Sequence, residues 1–284
     1  MDLDGDDNPD LLSGSYSLKR SINAGLFQVL QGRPGGRFDP AKVLTGEDGK
    51  PLVIGNAGRE AICTRPFAVD WNGDGHLDLV VGNSPGNFHL FKGRGGGRFA
   101  QKSERMGRLA VPGQSDPFCV DWDRDGDLDI LSGAREGGVY YAENVAGKGA
   151  SPRLKPFRVL IPARGNSMWN ENIFWDDGDL RGPGAYTRIW VDDVNRDGKP
   201  DILVGDMISQ AIPKKSSSGL TLSGCKAKVQ ALNSEKAKLL IQLRRTRNES
   251  EVKKLKQRFS ECMSTLTKFV QYKKTGFVWL YLGK

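Results

Sequence analysis

The chain has 284 residues, 38% of them hydrophobic and 27% charged, with a formal net charge of +8. That length suits one large domain or two small ones with ample core, and the absence of any long apolar run excludes a transmembrane helix. The charge is regional: from Lys214 onward there are 17 basic and 4 acidic residues, a balance of +13, against −5 for the rest, which argues against a nucleic-acid-binding surface over the whole protein.

The chain opens on Asp2-x-Asp4-x-Asp6-Asp7-x-x-Asp10. The same frame returns as Asp70-x-Asn72-x-Asp74-Gly75-x-x-Asp78, as Asp121-x-Asp123-x-Asp125-Gly126-Asp127-x-Asp129, and as Asp193-x-Asn195-x-Asp197-Gly198-x-x-Asp201. Oxygen-bearing side chains fall at the first, third, fifth and ninth positions, with glycine at the sixth of all but the first loop. Alternate residues of a tight loop point inward, glycine permits a backbone angle that other residues resist, and the last Asp closes the sphere. Calcium takes six to eight oxygens at about 2.3–2.6 Å, so three or four carboxylates, a backbone carbonyl and water would fill such a site. Asp7 replaces glycine in the first loop; Asp tolerates left-handed backbone better than most residues, so that loop is expected to close with more strain. The bland alternative is that the ions only staple turns.

Val69, Val120 and Asp192 immediately precede the later loops, where Met1 precedes the first. The lead-in strand seen as Pro66-Phe67-Ala68-Val69 and Pro117-Phe118-Cys119-Val120 has no counterpart before Asp2. The sequence is therefore expected to be an N-terminally truncated piece of a longer exported protein, its signal peptide lost with the truncation. Each loop leads into an apolar strand: Leu77–Gly82, Leu128–Gly133 and Asp201–Gly205. A Gly-containing turn and an alternating strand follow, as in Phe88-His89-Leu90-Phe91 and Val139-Tyr140-Tyr141-Ala142. Period-2 alternation with aromatics fits half-buried strands. Gly32–Phe38 and Gly93–Phe99 form a second internal repeat of the type Gly-Arg-x-Gly-Gly-Arg-Phe, best read as outer hairpin turns, with a phosphate cradle as the weaker reading.

Loops that start at residues 2, 70, 121 and 193 give a long repeat of the propeller kind. The pattern x-Val-Asp-x-[Asp/Asn]-x-Asp-Gly-x-x-Asp-[Leu/Ile]-[Leu/Val]-x-Gly resembles the FG-GAP and VCBS repeats of β-propellers, the architecture of the integrin α-subunit head. The resemblance covers about residues 1–213 and the closing Gly276–Leu282. It implies short antiparallel sheets around an axis and calcium in the loops, three to four ions in all. Carried over by position, the ligands would be Asp2, Asp4, Asp6 and Asp10; Asp70, Asn72, Asp74 and Asp78; Asp121, Asp123, Asp125 and Asp129; and Asp193, Asn195, Asp197 and Asp201. His76, Asp127 and Lys199 would contribute backbone carbonyls. It also implies a secreted, cell-surface or periplasmic module for adhesion or ligand binding, the partner being a protein or a carbohydrate.

Between the third and fourth repeats, Trp169, Trp175, Asp176, Asp177 and Asp179 gather on an extended connection. Indole and carboxylates together suit a sugar; the competing reading is a long connection with one buried Trp. Residues 212–223 read as a flexible linker. Beyond it Cys225, Val229, Leu232, Leu239 and Leu243, and then Val252, Leu255, Phe259, Cys262, Leu266 and Phe269, follow a helical seam interrupted at Lys236. Asn248 stands as N-cap of the second run, with Glu251 three residues on. This predicts an antiparallel coiled-coil hairpin inserted in the last blade, a candidate surface for self-association.

The four cysteines show no CxxC spacing, and Cys63 and Cys119 read as small buried residues. With two histidines, no GxSxG, no HExxH and no Walker motif, no catalytic residue is assigned; the alternative is a polysaccharide-active lyase or glycosidase using Asp176, Asp177 and Asp179. The expectation is an all-β fold: a partial β-propeller of about four blades over residues 1–212, linker and helical hairpin over 213–274, and a closing strand in 275–284.

Overall fold

The computed structural model describes residues 1–16, 25–54, 59–163, 174–214 and 219–283. It is built mostly of antiparallel sheets, with two helices. The first sheet has the order β1-β2-β5, from β1 (Leu11–Ser13), β2 (Gln28–Leu30) and β5 (Lys42–Val43), and between β2 and β5 lies a small hairpin of β3 (Gly32–Arg33) and β4 (Arg37–Phe38). The second sheet runs β6 (Arg65–Val69), β7 (Asp78–Gly82), β8 (Asn87–Phe91) and β9 (Glu104–Ala110). The third runs β10 (Asp116–Val120), β11 (Asp129–Gly133), β12 (Val139–Ala142) and β13 (Arg158–Ile161). In the fourth, β15 (Asp201–Pro213) pairs with β14 (Ala185–Asp192), β16 (Val270–Thr275) and β17 (Val278–Tyr281).

Consecutive sheets stack face to face, and that is why their middle strands are apolar on both sides. Leu79, Val81 and Phe91 of the second sheet meet Val29 and Leu12 of the first. The other face of the second sheet, through Val80, Phe88 and Leu90, meets Cys119, Ile130 and Ala142 of the third. Leu131, Val139 and Tyr141 then meet Val191, Ile202 and Val204 of the fourth. Every residue of β7 and β8 is buried, and a buried Val or Leu side chain contributes about 1.5–3 kcal/mol.

A repeated stitch fixes each junction. Gly14, Gly82 and Gly133 lie where an added Cβ would overlap the carbonyl oxygens of Thr64, Ser115 and Thr187 of the following sheet. The hydroxyls of those same three residues accept the N–H groups of Ser15, Asn83 and Ala134, each at 2.8 Å. To reach that position the chain turns left-handed one residue earlier, at Cys63, Gln114 and Tyr186 (φ +56°, +38° and +54°). Cys63 and Cys119 are buried thiols, as expected of them.

Residues 270–274, expected within the helical insertion, form β16 together with Thr275. It pairs with Ile208–Pro213 of β15, so a two-stranded ribbon carries α1 (Leu222–Arg245) and α2 (Glu249–Phe269) away from the fourth sheet. The ribbon starts at Asp206, whose carboxylate accepts from the Gly184 N–H (2.6 Å), the Phe277 N–H (2.8 Å) and the Trp279 indole N–H (3.0 Å). Thr221 caps α1 and Asn248 caps α2, the latter accepting from the Glu251 N–H at 3.1 Å. Glu251 does not return the bond; its carboxylate takes the Thr246 hydroxyl at 2.7 Å. The seam residues, Val252 excepted, fall in two apolar clusters that join the helices. Early α1 meets late α2 there: Cys225 Sγ donates to the Phe269 carbonyl, and Arg258 pairs with Glu235. Lys236 is half-buried in the seam and burial lowers its pKa. No helix among the described residues is long and apolar enough to cross a membrane.

Candidate metal loops

Three of the acidic loops connect the first and second strands of their sheets, the loop at residues 2–10 leads directly into β1, and all four share one hydrogen-bond frame. Oδ2 of the first residue (Asp2, Asp70, Asp121, Asp193) accepts the N–H of the sixth (Asp7, Gly75, Gly126, Gly198) at 2.8–3.1 Å. Oδ1 of the fifth (Asp6, Asp74, Asp125, Asp197) accepts the N–H of the seventh at 2.9–3.1 Å. The loop closes because its fourth and sixth residues are both left-handed: Gly5 and Asp7, Gly73 and Gly75, Arg124 and Gly126, Arg196 and Gly198. Asp7 adopts φ +65° beside +83°, +92° and +82° for the glycines at its position, so the first loop has the shape of the others.

The ninth residue differs from the rest of the set. Asp10, Asp78, Asp129 and Asp201 are at most 4% exposed. One oxygen of each accepts the N–H of the loop's second residue (Leu3, Trp71, Trp122, Val194) at 2.8–3.2 Å. The other accepts an N–H just past the strand paired with the one that follows the loop (β2, β8, β12 or β17), from Gly32, Gly93, Asn144 or Gly283, at 2.6–2.8 Å. Spacing alone missed this partner, yet a signal for it was present: Gly32 and Gly93 open the second internal repeat. A Cβ on Gly32, Gly93 or Gly283 would overlap the carbonyl oxygen of Pro9, Leu77 or Pro200, the eighth loop residue. The third loop uses Asn144 instead, whose amide donates to the equivalent Leu128 carbonyl at 3.2 Å.

The electrostatics divide accordingly. Burial raises the pKa of Asp78 and lifts that of Asp129 to about 6. The Asp7 N–H lowers the pKa of Asp2, and the Asn72 and Asn195 amides lower those of Asp74 and Asp197. Asp2, Asp4 and Asp10 bring carboxylate oxygens within 4.8 Å of one another, as do Asp121, Asp123 and Asp125. In the same two loops Asp4 Oδ1, Asp121 Oδ1 and Asp127 Oδ1 are buried without a hydrogen-bond partner. Like charges crowded around unpaired buried oxygens are what a divalent cation relieves, so these residues fit a hard cation. At the seventh position, Asp127 Oδ2 accepts the Gly147 N–H at 2.6 Å, the His76 ring lies against Gly95, and the Asn8 amide donates back to Asp6. Arg124 bridges the third and fourth loops by donating to the Gly198 carbonyl.

The second predicted cluster falls only partly within the described residues. Trp169 lies outside the described residues. Trp175 packs on Ala211, Cys225 and Leu266 beneath the helices, with the Lys226 ammonium 5.4 Å from its ring centre. Asp179 accepts the Trp175 N–H at 3.0 Å, and Asp176 accepts that of Gly178. Both therefore shape the short turn that contains Asp177. Residues 70–150 match the family model of the FG-GAP-like repeat. No curated protein gives a significant match to the chain.

Proposed function

We infer, from the premise that this is an FG-GAP-like repeat protein, that it is a calcium-holding β-propeller module which binds a protein or carbohydrate partner outside the cytosol and carries out no catalysis. The observation that carries the reading is the set of buried, unpartnered carboxylate oxygens, Asp4 Oδ1 and Asp121 Oδ1, inside loops of one hydrogen-bond frame. In each loop the first, third and fifth side chains and the seventh carbonyl would hold the ion, and the buried ninth Asp would orient the loop around it. The ion would supply positive charge where the first and third loops gather three carboxylates each. Extracellular sites of this weak kind, with dissociation constants of about 10⁻⁴–10⁻³ M, fill only where calcium is abundant. The four stacked sheets are the blades, and the helical pair is a coiled-coil hairpin inserted between the second and third strands of the last.

The partner surface on this reading is the end of the sheets opposite the loops. The ribbon, the helices and the Trp175 connection all emerge there, and the basic charge of the helices favours an acidic partner. A non-catalytic role is supported by His89, which is buried against the Asn83 amide, and by Asp176 and Asp179, whose oxygens accept turn N–H groups.

Calorimetric titration with calcium, beside thermal melts in calcium and in EDTA, tests this. Three to four ions should bind, and each site at a hundred times its dissociation constant adds about 2.7 kcal/mol of stability. Absence of both heat and shift would reduce the loops to acidic turns and remove the extracellular argument with them.

A further inference from the structure

A cleft of about 780 Å³ lies between the second and third sheets, beside their last strands, within the range of ligand-binding clefts. Both of its walls belong to complete four-stranded sheets inside the stack. One wall is β9 over its whole length, Glu104–Ala110, and the other is the segment 151–157 that leads into β13. Buried Trp71 and Leu90 form the floor. A trough bordered by a whole seven-residue strand is about 20 Å long. That suits an extended chain of about six residues better than a compact small molecule.

β9 leaves the ladder of its own sheet. Leu90 faces Glu104 and His89 faces Arg105, but Asn87 faces Ala110, where an unbroken register would bring residue 107. Three extra residues therefore bulge from the strand, turning at Gly107, whose φ of +57° is left-handed. The bulge sorts the side chains: Met106 and Leu109 are half-buried in the apolar cluster of Trp71 and Leu90, while Arg105 and Arg108 are exposed. Lys92 is neutralised by Glu104 at 3.0 Å, and Arg105 lies 3.8 Å from Glu60. Arg108 has no carboxylate partner among the described residues. The outer edge of β9 pairs with no strand among the described residues. The facing wall cannot supply one, since Pro152 and Pro156 lack N–H groups and the Arg153 and Lys155 N–H groups go to Asn144 and Glu143, each at 2.7 Å.

We propose that this trough binds an extended acidic segment of a partner protein, which adds a strand to the outer edge of β9. Successive side chains of such a strand point to opposite faces. Apolar residues at every second position enter the trough above Trp71 and Leu90, beside Met106 and Leu109. The carboxylates between them meet Arg105 and Arg108 as cross-strand pairs. The same two cations repel a second copy of this edge, so the occupant is a different protein. The site is independent of calcium and separate from the end of the sheets where the helices emerge.

Fluorescence anisotropy of a labelled hexapeptide of alternating Glu and Leu, titrated with the full chain, tests it. Binding should saturate at one peptide per chain and weaken as salt rises. Arg108→Glu, a change at an exposed side chain, should weaken it about tenfold. Two further peptides, one N-methylated at every Leu and the other at every Glu, separate strand pairing from mere filling of the cleft. Their blocked amides lie on opposite edges of the added strand, so one peptide should fail to bind and the other should bind. Absence of saturable binding overturns the proposal, as does binding that Arg108→Glu leaves unchanged. Full binding of both methylated peptides would overturn the strand pairing and leave a cleft for small amphiphiles. A dimer of the free chain that the peptide dissociates would make a second copy the occupant and overturn the proposal as well.

Discussion

Asp129 Oδ1 accepts the N–H of Asn144 at 2.7 Å, and through that bond the third acidic loop is tied to the exit of the third strand of its own sheet. The same carboxylate takes the Trp122 N–H at 3.0 Å and the Tyr141 hydroxyl at 3.1 Å, so it holds the fold whether or not a cation is bound. Asp129→Ala should lose about 2–5 kcal/mol in urea denaturation even in EDTA, since an unsatisfied buried donor costs roughly 1–3 kcal/mol. Asp125 is exposed and accepts from the Asp127 N–H. Asp125→Ala should leave the EDTA curve near wild type and remove most of the calcium-dependent increment of that loop. Equal losses in both variants would contradict this division of labour.

The left-handed fourth and sixth loop positions make a second prediction. Arg196 at φ +61° and Asp7 at φ +65° each hold a conformation that glycine adopts without steric penalty. Arg196→Gly and Asp7→Gly should each stabilise by about 0.5–1 kcal/mol, net of the greater freedom of glycine in the unfolded chain. Arg124→Gly should gain less, because Arg124 also donates to the Gly198 carbonyl. Chemical denaturation of the three variants side by side measures the difference.

Gly133 and Gly205 occupy the same position in consecutive sheets, but only Gly133 is covered. Gly133→Ala must displace the Thr187 backbone and should cost about 1–3 kcal/mol or more. Gly205→Ala meets no close neighbour and should be near neutral in the isolated chain. Thermal melts at low protein concentration suffice to compare them.

His89 gives the chain a pH dependence. Burial lowers its pKa from the usual 6.5; Glu60 opposes this, and Arg105 adds to it. The unfolded chain therefore binds the proton first. The stability that neutral His89 contributes is complete above pH 6.5 and is lost as pH falls through the lower, folded value. The slope from this residue is at most about 1.4 kcal/mol per pH unit. His89→Gln should flatten the denaturation midpoint against pH in that window, and an unchanged profile would remove His89 as its source.

The loops, the strands that follow them and the two helices were legible because each is a local pattern. Carboxylate spacing, period-2 alternation and the seam from Val252 to Phe269 all lie within a few turns or strands of chain. The stitch through Thr64, Ser115 and Thr187 was not legible, because one hydroxyl among polar residues carries no sign that its partner is the N–H of the preceding sheet. The strand at Val270–Thr275 escaped for a related reason. Four of its six residues are exposed, and its pairing partner, Ile208–Pro213, lies on the far side of both helices in sequence. Trp175 stood between two readings, a sugar-stacking indole and a buried Trp of a long connection, because nothing in its neighbourhood announces that Ala211 and Cys225 will cover it. In the acidic loops, side-chain type and spacing alone could not tell the inward oxygens of Asp4 and Asp121 from the staple at Asp129.

The ribbon between the fourth sheet and the helices also determines how the protein responds to tension. A load on the helical pair pulls the two ribbon strands apart at their far end, at Pro213 and Val270. Bonds loaded in that direction break one rung at a time, at low force, and not all together in shear. Peeling stops at Asp206, where one carboxylate gathers three N–H groups from two separate segments and the ladder of the sheet begins. The arm can thus yield under tension and re-form while the stacked sheets behind it stay intact.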